Sequence, residues 1–250
     1  MPLPKISTPL HYLQLPSTGE EVEYRPFIVK EEKLLLLAME SEDTREISTA
    51  IKTVIKNCIR KIKTKNGEIS GDDLDKKVEN LPTFDIEYLF LNIRSRSVGE
   101  EVEVGIVCPD DEETTVNVKI NLNDINVIKD PKHNKIITID DKIKMEMKYP
   151  SLEQFTKNNF DFGTNDTNQS FDLIASCVDK VIDGEEVIDN ADVTKEEIID
   201  FLEQMNSFQF SQINDFFETM PKLSHKVEIT NPNTKVKSEV TIEGLQSFFA

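Results

Sequence analysis

The chain has no tryptophan, three cysteines, eight glycines and no uninterrupted apolar run longer than six residues. Each scarcity excludes something. A membrane-crossing helix needs roughly 20 apolar residues, and the longest run, Leu34–Met39, is far shorter. The opening Met1-Pro-Leu-Pro-Lys lacks a basic stretch followed by an apolar one, so no signal peptide is expected. Cys58, Cys108 and Cys177 are widely spaced and form no Cys-x-x-Cys, which predicts reduced thiols, no zinc ribbon and a soluble intracellular product. Bases are outnumbered 29 to 47, giving a net charge of −18. Nucleic-acid and anionic-membrane binding need clustered cations that release counterions, so neither partner is expected. The one basic cluster, Lys52, Lys56, Arg60, Lys61, Lys63 and Lys65, reads first as a solvated face and second as a dock for an acidic partner.

What is present suits a packed α+β protein. Hydrophobic residues make up 38% of the 250, and phenylalanine (14) must supply the bulk that tryptophan does not. Five prolines between Pro2 and Pro26 forbid a long helix, yet apolar residues are interleaved, so residues 1–29 read as an extended arm. Residues 30–99 read as a helical part. A short helix is expected over Lys30–Glu40. A second is expected from about residue 42, with Ile47, Ala50, Ile51, Val54, Ile55, Cys58 and Ile62 as one apolar stripe. A third follows Pro82 through Phe84–Arg96.

The period then switches to two. Val102, Val104, Ile106 and Cys108, then Val116, Val118, Ile120 and Leu122, alternate with other residues about the acidic turn Asp110–Glu113. With Ile136–Ile139 and Lys142–Lys148 they predict one central antiparallel sheet over 100–149. Residues 150–250 read as helices and a terminal hairpin. Helices are expected from Leu152, over Phe171–Ile182, from a Thr194/Glu197 capping box, and over about 209–220. The hairpin would turn at Asn231-Pro-Asn233 and close on Phe248-Phe249. Residues 30–250 could form one or two compact units, and no internal repeat stands out.

The search for chemistry yields no catalytic, cofactor or metal site. His11, His133 and His225 lie on unrelated elements. Asp161-Phe-Gly163 spells the kinase tripeptide without its companion motifs. The acidic stretch Asp183–Asp192 fails the calcium-loop pattern where Val181 and Asn190 would have to be ligands, so it reads as a solvated helix–helix loop. What remains is surface: the string Arg25-Pro-Phe-Ile-Val-Lys-Glu-Glu-Lys33, the leucine run after it, and terminal aromatics that are hard to bury alone.

Several strings together resemble the baseplate hub family of T-even-type contractile-tailed bacteriophages. They are Leu15-Pro-Ser-Thr-Gly19, Tyr24–Lys33 with Leu34–Ser41, Phe84-Asp-Ile-Glu-Tyr-Leu-Phe-Leu91 and Ser97-Val-Gly-Glu100. Met220-Pro-Lys-Leu223 and Gly244–Phe249 match more loosely. Relatives can carry Cys-x-x-Cys before the terminal segment; Thr230–Thr234 stands there here, so no metal role carries over. The resemblance implies a non-enzymatic hub subunit or assembly factor, without small-molecule substrate, made in the host cytoplasm and partnered by other hub proteins. Arg25, Phe27, Lys30, Glu31, Glu32, Lys33, Phe248 and Phe249 are the candidate partner-binding residues. A tail-associated wall hydrolase and an acidic adaptor unrelated to phage are the competing readings.

Overall fold

The computed structural model describes residues 6–41, 43–151, 154 and 167–244. These form a mixed α+β protein divided into two compact units, one of residues 1–128 with 222–250 and the other of 129–221.

Unit 1 opens with the hairpin β1 (His11–Gln14) and β2 (Glu21–Tyr24), followed by α1 (Val29–Glu40) and α2 (Thr44–Cys58). A second hairpin, β3 (Ile59–Thr64) and β4 (Gly67–Ile69), leads to α3 (Asp72–Glu79) and α4 (Thr83–Val98). The four strands make one antiparallel sheet in the order β1-β2-β3-β4. Residues 11–14 and 21–24 are thus extended, but they belong to this unit's sheet rather than to a separate arm, with Pro16 in the turn between them. Leu15, Val22 and Tyr24 are buried. Helix α2 presents Ala50, Ile51, Val54, Ile55 and Cys58 to the core and packs against α1, α3 and α4. Helix α4 is apolar around most of its girth, with Phe84, Ile86, Leu89, Phe90, Leu91 and Ile93 all buried.

The rest of unit 1 is β-rich. The β5 (Glu101–Val107) and β6 (Thr115–Asn121) hairpin is a sheet by itself, and β7 (Asn126–Ile128) follows. Unit 2 then runs β8 (Ile136–Thr138), β9 (Ile143–Met147), α5 (Thr167–Cys177), β10 (Val178–Asp183), β11 (Glu186–Asp189), α6 (Lys195–Glu203) and α7 (Ser207–Thr219). The chain returns to unit 1 through β12 (Lys222–Thr230) and β13 (Lys237–Glu243), which form a three-stranded sheet with β7.

Several expectations are corrected. The single central sheet over 100–149 is divided: β5–β6 stands alone, β7 joins β12, and β8–β9 joins β10 and β11. Alternation identifies strands but carries no information about which strands pair. The helix expected to reach Ile62 stops at Cys58, and the one expected to reach Ile182 stops at Cys177. Both misreadings have one cause. Tyr24 pairs with Ile59 but Glu23 with Lys61, leaving Arg60 as an extra, bulged residue. A bulge rephases the strand, so Ile59 and Ile62, three apart, are both buried and imitate helical spacing. Met147 likewise pairs with Val178 and Glu146 with Lys180, so Asp179 bulges, and Val178 and Val181 both pack on the core. The acidic stretch Asp183–Asp192 is correspondingly the β10–β11 hairpin and a 3-10 turn, not a helix–helix loop. The helix expected from Leu152 lies outside the described residues apart from Gln154.

No repeat is visible in the sequence, yet unit 2 repeats the plan of unit 1. Each has a hairpin, a helix ending in a buried cysteine, a strand bulged at its second residue, a partner strand and two helices, with strand orders β1-β2-β3-β4 and β8-β9-β10-β11. The details agree as well. Arg25 N–H donates to the Cys58 carbonyl at 3.0 Å, and Lys148 N–H to the Cys177 carbonyl at 2.7 Å. Three residues further on, Glu31 accepts from the Ile28 N–H at 3.0 Å, as Gln154 accepts from Ser151 at 2.8 Å. The ion pair Lys61–Glu23 (3.5 Å) is matched by Lys180–Glu146 (3.1 Å). At the third residue of its last helix, each unit holds the turn of its own first hairpin. Asp85 accepts from the Ser17 N–H (3.0 Å) and hydroxyl, and Gln209 donates to the Ile139 carbonyl (2.8 Å).

Candidate protein interface

The Arg25–Lys33 string is an elbow between β2 and α1, and it divides its charges between two environments. Arg25 and Glu31 are buried and bonded to each other at 3.0 Å. The guanidinium also donates to the Pro26 carbonyl (2.9 Å) and lies 3.7 Å from the Cys58 sulfur. Burial alone would raise the Glu31 pKa. Hydrogen bonds from Arg25 and Ile28, together with the Arg25 charge, outweigh it and hold the carboxyl below its usual range. Phe27 is packed inside, and its N–H donates to the Ser97 hydroxyl at 2.9 Å. Arg25, Phe27 and Glu31 therefore fix the direction in which α1 leaves the sheet.

Lys30, Glu32 and Lys33 are exposed, and none forms an ion pair with another described residue. With them stands an apolar set from the same string and the leucine run, none of it among the candidate partner-binding residues named from the sequence: Ile28 (46% exposed), Val29 (77%), Leu36 (55%), Leu37 (54%) and Met39 (51%). The leucine run is split between two environments. The signal was available, because four consecutive helical residues turn through about 300°, so one wall cannot cover them all. Leu34 and Leu35 take the half-buried side and Leu36 and Leu37 the outer one. Beside them runs a groove of about 350 Å³ between α1 and α2, lined by Leu34, Leu37, Ala38, Ala50, Thr49 and Thr53 with Arg45 and Glu46. The Thr49 and Thr53 hydroxyls each donate to the carbonyl four residues back, at 2.8 Å, so their hydrogen-bonding needs are met within the helix.

The basic cluster is not brought together as a dock. Lys56 pairs with Glu79, Lys61 with Glu23 and Glu68, and Lys63 with Glu21. Phe248 and Phe249 lie outside the described residues. Of the histidines, His11 is in β1 and His225 in β12, while His133 sits against the Tyr149 and Phe216 rings with Nδ1 3.0 Å from the Thr219 hydroxyl. No group of histidine, cysteine or acidic residues among the described residues is arranged to hold a metal. At the Thr230–Thr234 region, Asn231 donates its side-chain amide to Asp110 (3.1 Å) and Asp111 (2.8 Å), and the Thr234 hydroxyl donates to Asp110. These bonds join the β5–β6 and β12–β13 turns. They help hold both carboxyls below the usual range, with Thr234 the main cause at Asp110 and Thr114 at Asp111.

The resemblance of the charged strings to a phage tail family agrees with comparison to known families. The model for the T4 bacteriophage base plate protein family matches residues 8–250. The chain belongs to that family. No curated protein and no solved structure matches it at a significant level. The family match runs through both units of this baseplate protein, so the repeated plan lies within the family's own extent. A role in the phage baseplate implies contacts with other phage proteins. No helix among the described residues is long and apolar enough to cross a membrane.

Proposed function

We propose that this baseplate protein is a non-enzymatic subunit or assembly factor of the baseplate hub of a contractile tail. It is made in the host cytoplasm, and its partners are other hub proteins. The observation that carries the reading is the outer face of α1. Four large apolar side chains stand exposed on one short helix, with Ile28 just before it, and a buried ion pair fixes the root of that helix. Scattered exposed apolar residues are ordinary, whereas a cluster beside an apolar groove suits a partner. Lys30, Glu32 and Lys33 then supply register at the rim, while Arg25, Phe27 and Glu31 act from inside by holding the helix. Phe248 and Phe249 remain candidates for a second contact.

Deleting residues 1–29 would remove two strands of the unit 1 sheet, so it would not test contact apart from folding. Quantitative mass spectrometry of mature virions and infected-cell lysates is the cleaner experiment. A few copies per virion are expected of a subunit. Absence from virions with abundance in the lysate is expected of an assembly factor. Normal baseplates from a phage lacking the chain would refute both.

A further inference from the structure

We infer that the free chain pairs through α1 with α1 of a second copy, the two helices running antiparallel. The inference rests on reading α1 as a contact surface. Its distinctive support is charge. The chain carries −18 overall, so two copies repel through most of their surfaces. The outer face of α1 is an exception. It carries Lys30 and Lys33 against Glu32 and Glu40, all exposed and none ion-paired to another described residue.

The charges are also ordered. Both lysines lie in the first half of the helix, where they flank Glu32. Glu40 closes the helix, and exposed Asp43, Arg45 and Glu46 begin the next, with acids in the majority. An antiparallel copy sets Lys33 of each chain against Glu40 of the other, and the two-fold axis makes that match twice. Leu36 of each chain then meets the Leu36–Leu37 step of its partner beside the apolar groove. A basic partner finds no such preference here, since acidic surface is plentiful elsewhere and this face is neutral. Helix α1 has 12 residues and so spans only about 18 Å. A contact that small belongs with weak, transient interfaces, with dissociation constants on the order of micromolar.

Sedimentation velocity of the full chain across the micromolar range tests this. The wild type should show a monomer–dimer equilibrium. L36E, at a position more than half exposed, should keep the wild-type circular dichroism and raise the dissociation constant at least about tenfold. K33E should weaken the dimer by setting like charges together, and K33E/E40K should restore it. A wild type that stays monomeric overturns the proposal, as does a dimer that L36E leaves intact or a double variant no tighter than K33E. The hub reading fails separately. A monomeric chain whose L36E/M39E variant still blocks baseplate assembly removes the dimer and keeps the hub role. A dimer that L36E/M39E breaks while baseplates form normally removes the hub role and keeps the dimer.

Discussion

The two units share a backbone plan but differ at the elbow. In unit 1 the residue that reaches back to the cysteine carbonyl is Arg25, and the one that caps the next helix is Glu31; both are buried and form an ion pair. In unit 2 the matching residues are Lys148, half-exposed, and Gln154, which carries no charge. The main-chain N–H to carbonyl bond, and a side-chain oxygen accepting the N–H three residues before it, are common to both units. The buried ion pair is an addition in unit 1. Burying two charges costs solvation that their attraction only about repays, so such a pair adds little net stability while being costly to break. What it adds here is a fixed departure for α1, whose outer face is uncovered.

The largest effect should come from breaking the pair on one side. Arg25→Ala strands the Glu31 carboxylate in the interior and should cost about 3–5 kcal/mol in denaturant unfolding. Lys148→Ala, at the matching position, should stay within about 0.5 kcal/mol. Equal costs at the two sites would break the comparison. Next come the residues that hold the hairpin turns. Asp85, fully buried, accepts two bonds from Ser17, whereas Gln209 donates one to a carbonyl. Asp85→Ala should therefore cost about 1–3 kcal/mol and Gln209→Ala about 1 kcal/mol or less, measured in the same way.

Acid should separate the units further. Because the folded Glu31 carboxyl titrates below its ordinary value near 4.5, its contribution is fully present above that value. It is lost as pH falls through the lower, folded pKa. Gln154 cannot titrate. Glu31→Gln should flatten the fall in melting temperature between neutral and acid pH, and an unchanged acid limb would contradict the account.

The smallest difference is expected at the matching cysteines. Burial pushes the Cys58 and Cys177 thiols alike up to about 12. Both should react with a disulfide reagent at mildly alkaline pH only after unfolding.

The sequence made legible the features written in side chains: the capping box at Thr194, both hairpins with acidic or Asn-Pro turns, and the apolar girth of α4. It hid the features written in the backbone. A bulge at Arg60 or Asp179 needs no particular residue, and it turns a strand's spacing into a helix's. The repeat escaped for the same reason: its shared bonds run from main-chain N–H to carbonyl, or join unlike pairs such as Asp85 and Gln209. At the candidate interface, the string Arg25–Lys33 was legible as an unusual block. Its division into buried and exposed halves was not, because two adjacent glutamates between lysines give no hint of which acid reaches back to Arg25.

The account's central claim is that α1 faces outward in order to be covered by another baseplate chain. Complementation of a phage lacking this protein with the L36E/M39E variant, scored by electron microscopy of assembled baseplates, tests it directly. The account predicts a folded, abundant variant and few or no baseplates. Baseplates at wild-type number would contradict it.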